Sequence, residues 1–166
     1  MPILKPGTLE FISHNAEQTI RLGQRLGEML RSGDILCLYG TLGAGKTAFA
    51  RGVGRGWGAI PGVTSPTFVL VHEHTRQADD LRLIHVDAYR LAGPEDALTF
   101  GLDELLADRH PVLIEWPERV ADLLPAERLN ITFNFLDSER RQIFFEALGK
   151  SYEELLEIFR RRTFGA

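Results

Sequence analysis

An apolar run, Ile35-Leu36-Cys37-Leu38-Tyr39, passes directly into Gly40-Thr41-Leu42-Gly43-Ala44-Gly45-Lys46-Thr47 and then into Ala48-Phe49-Ala50-Arg51. Few folds accept that succession. The run has no polar interruption, so it reads as a strand buried on both faces of a sheet. Glycines at 40, 43 and 45 permit positive φ and let the main chain approach a ligand where a Cβ would collide. The octapeptide is a complete Walker A signature, in which the turn's N–H groups and the positive end of the next helix converge on phosphate oxygens. Gly43, Ala44, Gly45, Lys46 and Thr47 are therefore the expected nucleotide-binding residues. Lys46 reaches for the β- and γ-phosphates, and the Thr47 hydroxyl for Mg²⁺. The chain has only three lysines, Lys5, Lys46 and Lys150, and one falling inside this pattern by chance is an event on the order of a few per thousand.

The 166 residues suit a single domain over 1–166, large enough to bury about 70% of the surface that its unfolded form exposes. A net charge of −4 gives no general attraction to nucleic acid. The only basic run, Arg160-Arg161-Arg162, reads as a solvated helix end. One cysteine excludes an intrachain disulfide, and Cys37, inside a strand pattern, is expected to pack as a small apolar group. The first residues lack the apolar core of a signal peptide and no run approaches bilayer-spanning length, so a cytoplasmic location is expected.

In chain order, residues 8–12 read as a strand, and Ser13 to Asn15 offer an N-cap to a helix carrying Ile20, Leu22, Leu26 and Leu30, closed by Gly33. This first unit is placed to cover one side of a bound base. The central strand spans 34–39. The helix after the Walker A turn runs from about Lys46 to Trp57, but Gly52, Gly54 and Gly56 each weaken it by roughly 1 kcal/mol, so an early end is expected. Residues 58–66 form a loop, and strands over 67–72 and 81–87 form a hairpin. Gly93-Pro94 starts a helix, residues 103–106 a second short one, and 111–115 a buried strand ending in an acid. Strands over 129–136 and 142–148 flank Asp137-Ser138-Glu139-Arg140 as an antiparallel hairpin. Ser151-x-x-Glu154 is a capping box for a last helix to about Arg162.

A Walker A protein needs a second carboxylate at a nearby strand end to hold Mg²⁺, and Glu115 fits best. Asp87, closing Ile84-His85-Val86-Asp87, is the second candidate, either to position the attacking water or to sit beside the metal. Arg90 reads as a structural ion-pair former rather than a cis arginine finger. The hydroxyls of Thr64, Ser65 and Thr67 lie where a loop could sense the γ-phosphate, although a plain connection fits equally well. His72, His74 and His85 have no zinc-like partners and read as structural. Residues 13–16 and the turn at 138–140 are candidates for the base pocket.

Four segments taken together resemble, in order, the motifs of the TsaE (YjeE) family: residues 38–47, Val63-Thr64-Ser65-Pro66-Thr67-Phe68, His85-Val86-Asp87-Ala88-Tyr89-Arg90-Leu91, and Leu113-Ile114-Glu115-Trp116-Pro117. These are small bacterial ATPases required for threonylcarbamoyl modification of the tRNA adenosine beside the anticodon. The likeness spans about 8–148, departs at Thr41 and His74, and leaves the arginine-rich last helix unmapped. It implies an α/β P-loop NTPase fold, three-layer α/β/α, with a mixed, largely parallel central sheet and antiparallel hairpins. It implies Mg²⁺ and ATP as ligands, and slow or partner-dependent hydrolysis. It also implies action as an accessory to a TsaB–TsaD pair that performs the transfer and through which tRNA is met indirectly. By that likeness Lys46 and Thr47 hold phosphate and metal, Glu115 holds the metal, and Asp87 is catalytic or metal-linked. Thr64 to Thr67 form the switch, and Trp116 is structural or at an interface.

Two other readings compete. A small-molecule kinase needs a lid with several arginines, and the segment from Pro94 to Arg109 is acidic and lacks them. A nucleotide-gated docking module, with incidental hydrolysis, also fits the sequence, although the intact acids at Asp87 and Glu115 favour real hydrolysis. A GTPase is disfavoured because no Asn-Lys-x-Asp motif occurs.

Overall fold

A computed structural model describes residues 5–60 and 71–165. Its elements are β1 (Thr8–Ser13), α1 (Ala16–Gly27), β2 (Ile35–Tyr39), α2 (Lys46–Trp57), β3 (Val71–His74), β4 (Leu83–Asp87), α3 (Pro94–Thr99), α4 (Leu102–Ala107), β5 (Val112–Glu115), a 3-10 segment (Pro117–Leu123), β6 (Arg128–Phe135), β7 (Arg141–Leu148) and α5 (Lys150–Phe164). The seven strands form one sheet in the order β1-β7-β6-β2-β5-β4-β3. Its centre, β6-β2-β5-β4, is parallel. Antiparallel pairings flank it, with β7 and β1 on one side and β3 on the other. This is the mixed α/β arrangement expected.

The central strands divide their residues between two cores with the period of two that a strand imposes. Leu36, Leu38, Leu113, Leu129 and Ile131 face α1, α2 and α5, meeting Leu26, Phe49, Val53 and Phe159. Ile35, Cys37, Ile84, Val86, Val112 and Ile114 face the other way, onto Leu91, Ala97, Leu102 and Val120. An uninterrupted apolar strand is thus what two covered faces demand, and Cys37 is fully buried as expected.

Three local expectations are overturned. The glycines do not end α2 early; the helix continues to Trp57, where Gly58 caps it in the left-handed region. A Cβ on Gly52 would stand 2.0 Å from the Ile20 carbonyl oxygen, and one on Gly56 1.9 Å from that of Gln24. Gly23 and Gly27 of α1 meet the Phe49 and Val53 carbonyl oxygens at 2.2 and 2.1 Å in the same sense. Glycines four apart on facing sides bring the two backbones together, and the packing outweighs the propensity cost. Secondly, α1 stops at Gly27, and Gly33 turns the chain only later, inside a turn in which the Asp34 carboxylate accepts from the Arg31 N–H. Thirdly, the N-cap of α5 is Gly149, so Ser151 lies inside the helix and the capping box does not form.

Candidate functional site

The site lies at the carboxyl ends of the parallel strands, where an open α/β sheet places its ligand crevice. β2 delivers the Gly40 turn, β4 delivers Asp87, and β5 delivers Glu115. The β4–β5 register sets Asp87 directly beside Glu115. A cavity of about 330 Å³ is lined by Ala16, Gly43, Lys46, Thr47, Asp87, Glu115, Trp116 and Arg141, among others. Lys46, Thr47, Asp87 and Glu115, chosen from separate segments of the sequence, therefore meet around one space. Thr67, and with it the whole 64–67 switch, lies outside the described residues.

The turn has the shape of a phosphate cradle. Gly40 has φ 146°, Gly43 77° and Gly45 105°. Gly45 stands at the N-cap of α2 with no side chain bonding the first N–H groups, which leaves these donors and the positive helix end for an anion. Nothing lies within 4 Å of a Cβ built on Gly43, so the main chain is open to a ligand there.

The ammonium of Lys46 donates to the Gly40 carbonyl and rests 3.6 Å from the centre of the Trp116 ring. Its burial pulls its pKa below the ordinary lysine value, against the opposing pull of Glu115, Glu118 and Asp87. Trp116 adopts φ 59°, the one non-glycine residue with positive φ among the described residues. That backbone costs about 1–2 kcal/mol. The indole also packs on Tyr89, with ring centres 4.9 Å apart.

Glu115 is buried, and its Oε2 lies in hydrogen-bond contact with His85 Nε2 at 2.7 Å. Asp87 is half-buried and accepts from the Tyr89 N–H at 3.0 Å. Burial raises the Asp87 carboxyl above the usual carboxylate range, and the neighbouring Glu115 charge adds to the rise.

A second cavity of about 300 Å³ adjoins the turn, lined by Asn15, Ala16, Thr19, Gly45, Ala48, Ser138, Glu139 and Arg141. Both segments offered as a base pocket border it. Asn15 caps α1 by accepting from the Gln18 N–H, and the Gln18 side chain accepts from the His14 N–H. Opposite, the Asp137 carboxylate accepts from the N–H groups of Glu139 and Arg140, and from the Arg140 side chain. Those bonds, the Arg140 N–H foremost, bring the Asp137 pKa down to about 2. Each wall of the cavity is thus tied by its own hydrogen bonds.

Arg141 stands between the two cavities. Its Nε and Nη2 donate to the Gly43 carbonyl at 3.3 and 3.1 Å, and its guanidinium lies 4.4 Å from the Phe135 ring centre. Nothing in the sequence pointed to it, since it is 98 residues from Gly43. Arg90 is exposed beyond β4 and borders neither cavity.

A family described as "Threonylcarbamoyl adenosine biosynthesis protein TsaE" matches residues 13–143. The chain belongs to the TsaE family. A tRNA threonylcarbamoyladenosine biosynthesis protein TsaE from Bacillus subtilis is 36% identical over 149 residues, 90% of this chain and 92% of that one. The Streptomyces coelicolor TsaE is 45% identical over 111 residues, 66% and 74% of the two chains. The crystal structure of Bacillus subtilis YdiB superposes with a TM-score of 0.79 at 32% identity, covering 98% of this chain and 99% of that one. The TsaE match encloses every residue lining the two cavities. It ends at residue 143, before α5 and the Arg160-Arg161-Arg162 run, the part of the sequence that the motif likeness left unmapped. Among the described residues no helix is long and apolar enough to cross a membrane.

Proposed function

We propose that this TsaE protein binds Mg²⁺–ATP in the 330 Å³ cavity and hydrolyses it, slowly or on partner contact, as an accessory to a TsaB–TsaD pair in threonylcarbamoylation of tRNA. One observation carries the reading: a phosphate cradle with a free helix start faces two strand-end carboxylates lying side by side. The Gly43–Thr47 backbone binds phosphate oxygens, and Lys46 exchanges the Gly40 carbonyl for the β- and γ-phosphates. Mg²⁺, held by Thr47 and Glu115, supplies charge neutralisation at the phosphates. Asp87, beside Glu115, would position the attacking water or stand beside the metal. The 300 Å³ cavity between Asn15 and Ser138 takes the base, and Arg141 braces the turn between base and phosphates.

The decisive measurement is ATP hydrolysis by the purified protein, alone and with TsaB–TsaD, against Lys46→Ala. Stimulation by the pair that the variant lacks supports the reading; no effect of the pair on either protein refutes the accessory role. Leu42 and Tyr89, lining the cavity yet 68% and 41% exposed, favour a second reading in which bound nucleotide mainly presents a docking surface. Under it, Glu115→Ala with ATP still supports tRNA modification in a reconstituted mixture.

A further inference from the structure

The nucleotide site leaves His85 without a role, although its sequence neighbour Asp87 and its bonding partner Glu115 both belong to that site. His85 and Asp87 are two apart on β4 and so share a face of the strand. The register pairs Asp87 with Glu115 and His85 with Leu113, which brings the imidazole under the Glu115 carboxylate. The contact is short, 2.7 Å, and both side chains are at least nine-tenths buried. Among the described residues no other group bonds that carboxylate, and Glu115 lines the cavity.

We infer that His85 is a positioning residue which, through Nε2–H donation to Oε2, fixes the Glu115 carboxylate so that Oε1 is presented to the metal. The inference rests on the Mg²⁺–ATP reading above. A carboxylate that ligates a cation is ionised and has no proton to give, so the hydrogen in the contact belongs to His85 Nε2. The Nδ1 atom is then a bare acceptor. It is buried and has no partner among the described residues, a position tolerated better by an acceptor than by an N–H. A free glutamate rotates about three bonds, and the imidazole, held in the sheet, removes that freedom before the cation arrives. Such outer partners of metal ligands commonly govern affinity by 10–100-fold.

Two amide substitutions separate this role from simple packing. Glutamine places its side-chain nitrogen near the site of Nε2, whereas asparagine stops near Nδ1 and cannot reach Oε2. Binding of the fluorescent analogue mant-ATP is titrated with Mg²⁺ and, separately, in EDTA. The expected result for His85→Asn is a half-saturating Mg²⁺ concentration raised 10–100-fold, with EDTA binding unchanged; His85→Gln stays within about threefold of wild type. Wild-type Mg²⁺ dependence in His85→Asn, equal impairment of the two variants, or parallel loss of binding in EDTA would overturn the inference. Should His85→Asn fold poorly, ¹⁵N-histidine NMR of the unaltered protein decides. His85, assigned by the loss of its signals in His85→Gln, must carry its proton on Nε2; a proton on Nδ1 overturns the assignment. Wild-type protein that binds mant-ATP without regard to Mg²⁺ refutes the metal reading itself, an outcome distinct from failure of the variants.

Discussion

Arg141 joins two structures that the sequence keeps apart. Its forked donation to the Gly43 carbonyl ties the glycine-rich turn to the β6–β7 hairpin, and only a planar fork makes both bonds at once. Arg141→Ala should weaken mant-ATP binding by roughly 10- to 150-fold, the value of one charge-assisted bond of about 1.5–3 kcal/mol. Arg141→Lys should recover little of it, as read by fluorescence titration. Asp87 carries a pH dependence. Its pKa is raised in the fold, so its contribution to stability is greatest in acid, where it is protonated, and declines as pH rises through the raised folded value. At neutral pH the half-buried charge is a liability. Asp87→Asn keeps the acceptor for the Tyr89 N–H and removes that charge, so it should melt on the order of 2 °C higher than wild type at pH 7. The gap should close as pH falls below about 4, where the wild-type carboxyl is neutral as well. Hydrolysis should be lost throughout. A variant less stable at pH 7 would mean that Asp87 is held by something other than its burial.

Helices α1 and α2 are joined by glycine rather than by large side chains. Gly52→Ala or Gly56→Ala places a methyl about 2 Å from a carbonyl oxygen of α1, and neither backbone can retreat without opening the core around Leu26 and Val53. A loss of about 3 kcal/mol or more is expected, a fall in melting temperature near 10 °C for a chain of this size. Gly58→Ala meets nothing closer than 3.8 Å and should cost only the roughly 1–2 kcal/mol of its left-handed backbone. This contrast also explains what was legible in the sequence. The elements and their order followed from periodicity, since apolar strands and capped helices are local statements. Gly52 and Gly56 misled because propensity is counted within one helix, whereas their reason is the Ile20 and Gln24 carbonyls of another. The same limit divides the site. Lys46, Thr47, Glu115 and Asp87 were legible because a motif or a strand end announces each of them. His85, Arg141 and the seat of Trp116 on Lys46 depend on cross-strand register and on a distant hairpin, which no window of sequence contains.

At the scale of the whole molecule, the proposed nucleotide site and the core share one strand. The only cysteine of the chain, Cys37, is fully buried at the middle of β2, between β5 and β6, and burial pushes its thiol up to about 12. Such a thiol is neither exposed nor ionised in the native state, so a thiol reagent reaches it only when the central sheet opens. β2 runs directly into the glycine-rich turn, and an opening that frees Cys37 must also dismantle that turn. A ligand bound to the cradle therefore protects Cys37 by mass action. At 100 times its dissociation constant, it should slow labelling about 100-fold and add about 2.7 kcal/mol of stability. Measured with Mg²⁺–ATP and a chromogenic disulfide, the slowing should vanish in Lys46→Ala and leave that variant's ligand-free rate close to wild type. Protection that persists in Lys46→Ala would place the nucleotide somewhere other than the turn after β2. Labelling at an unchanged rate, under conditions where binding is seen directly, would mean that β2 opens locally without disturbing the site.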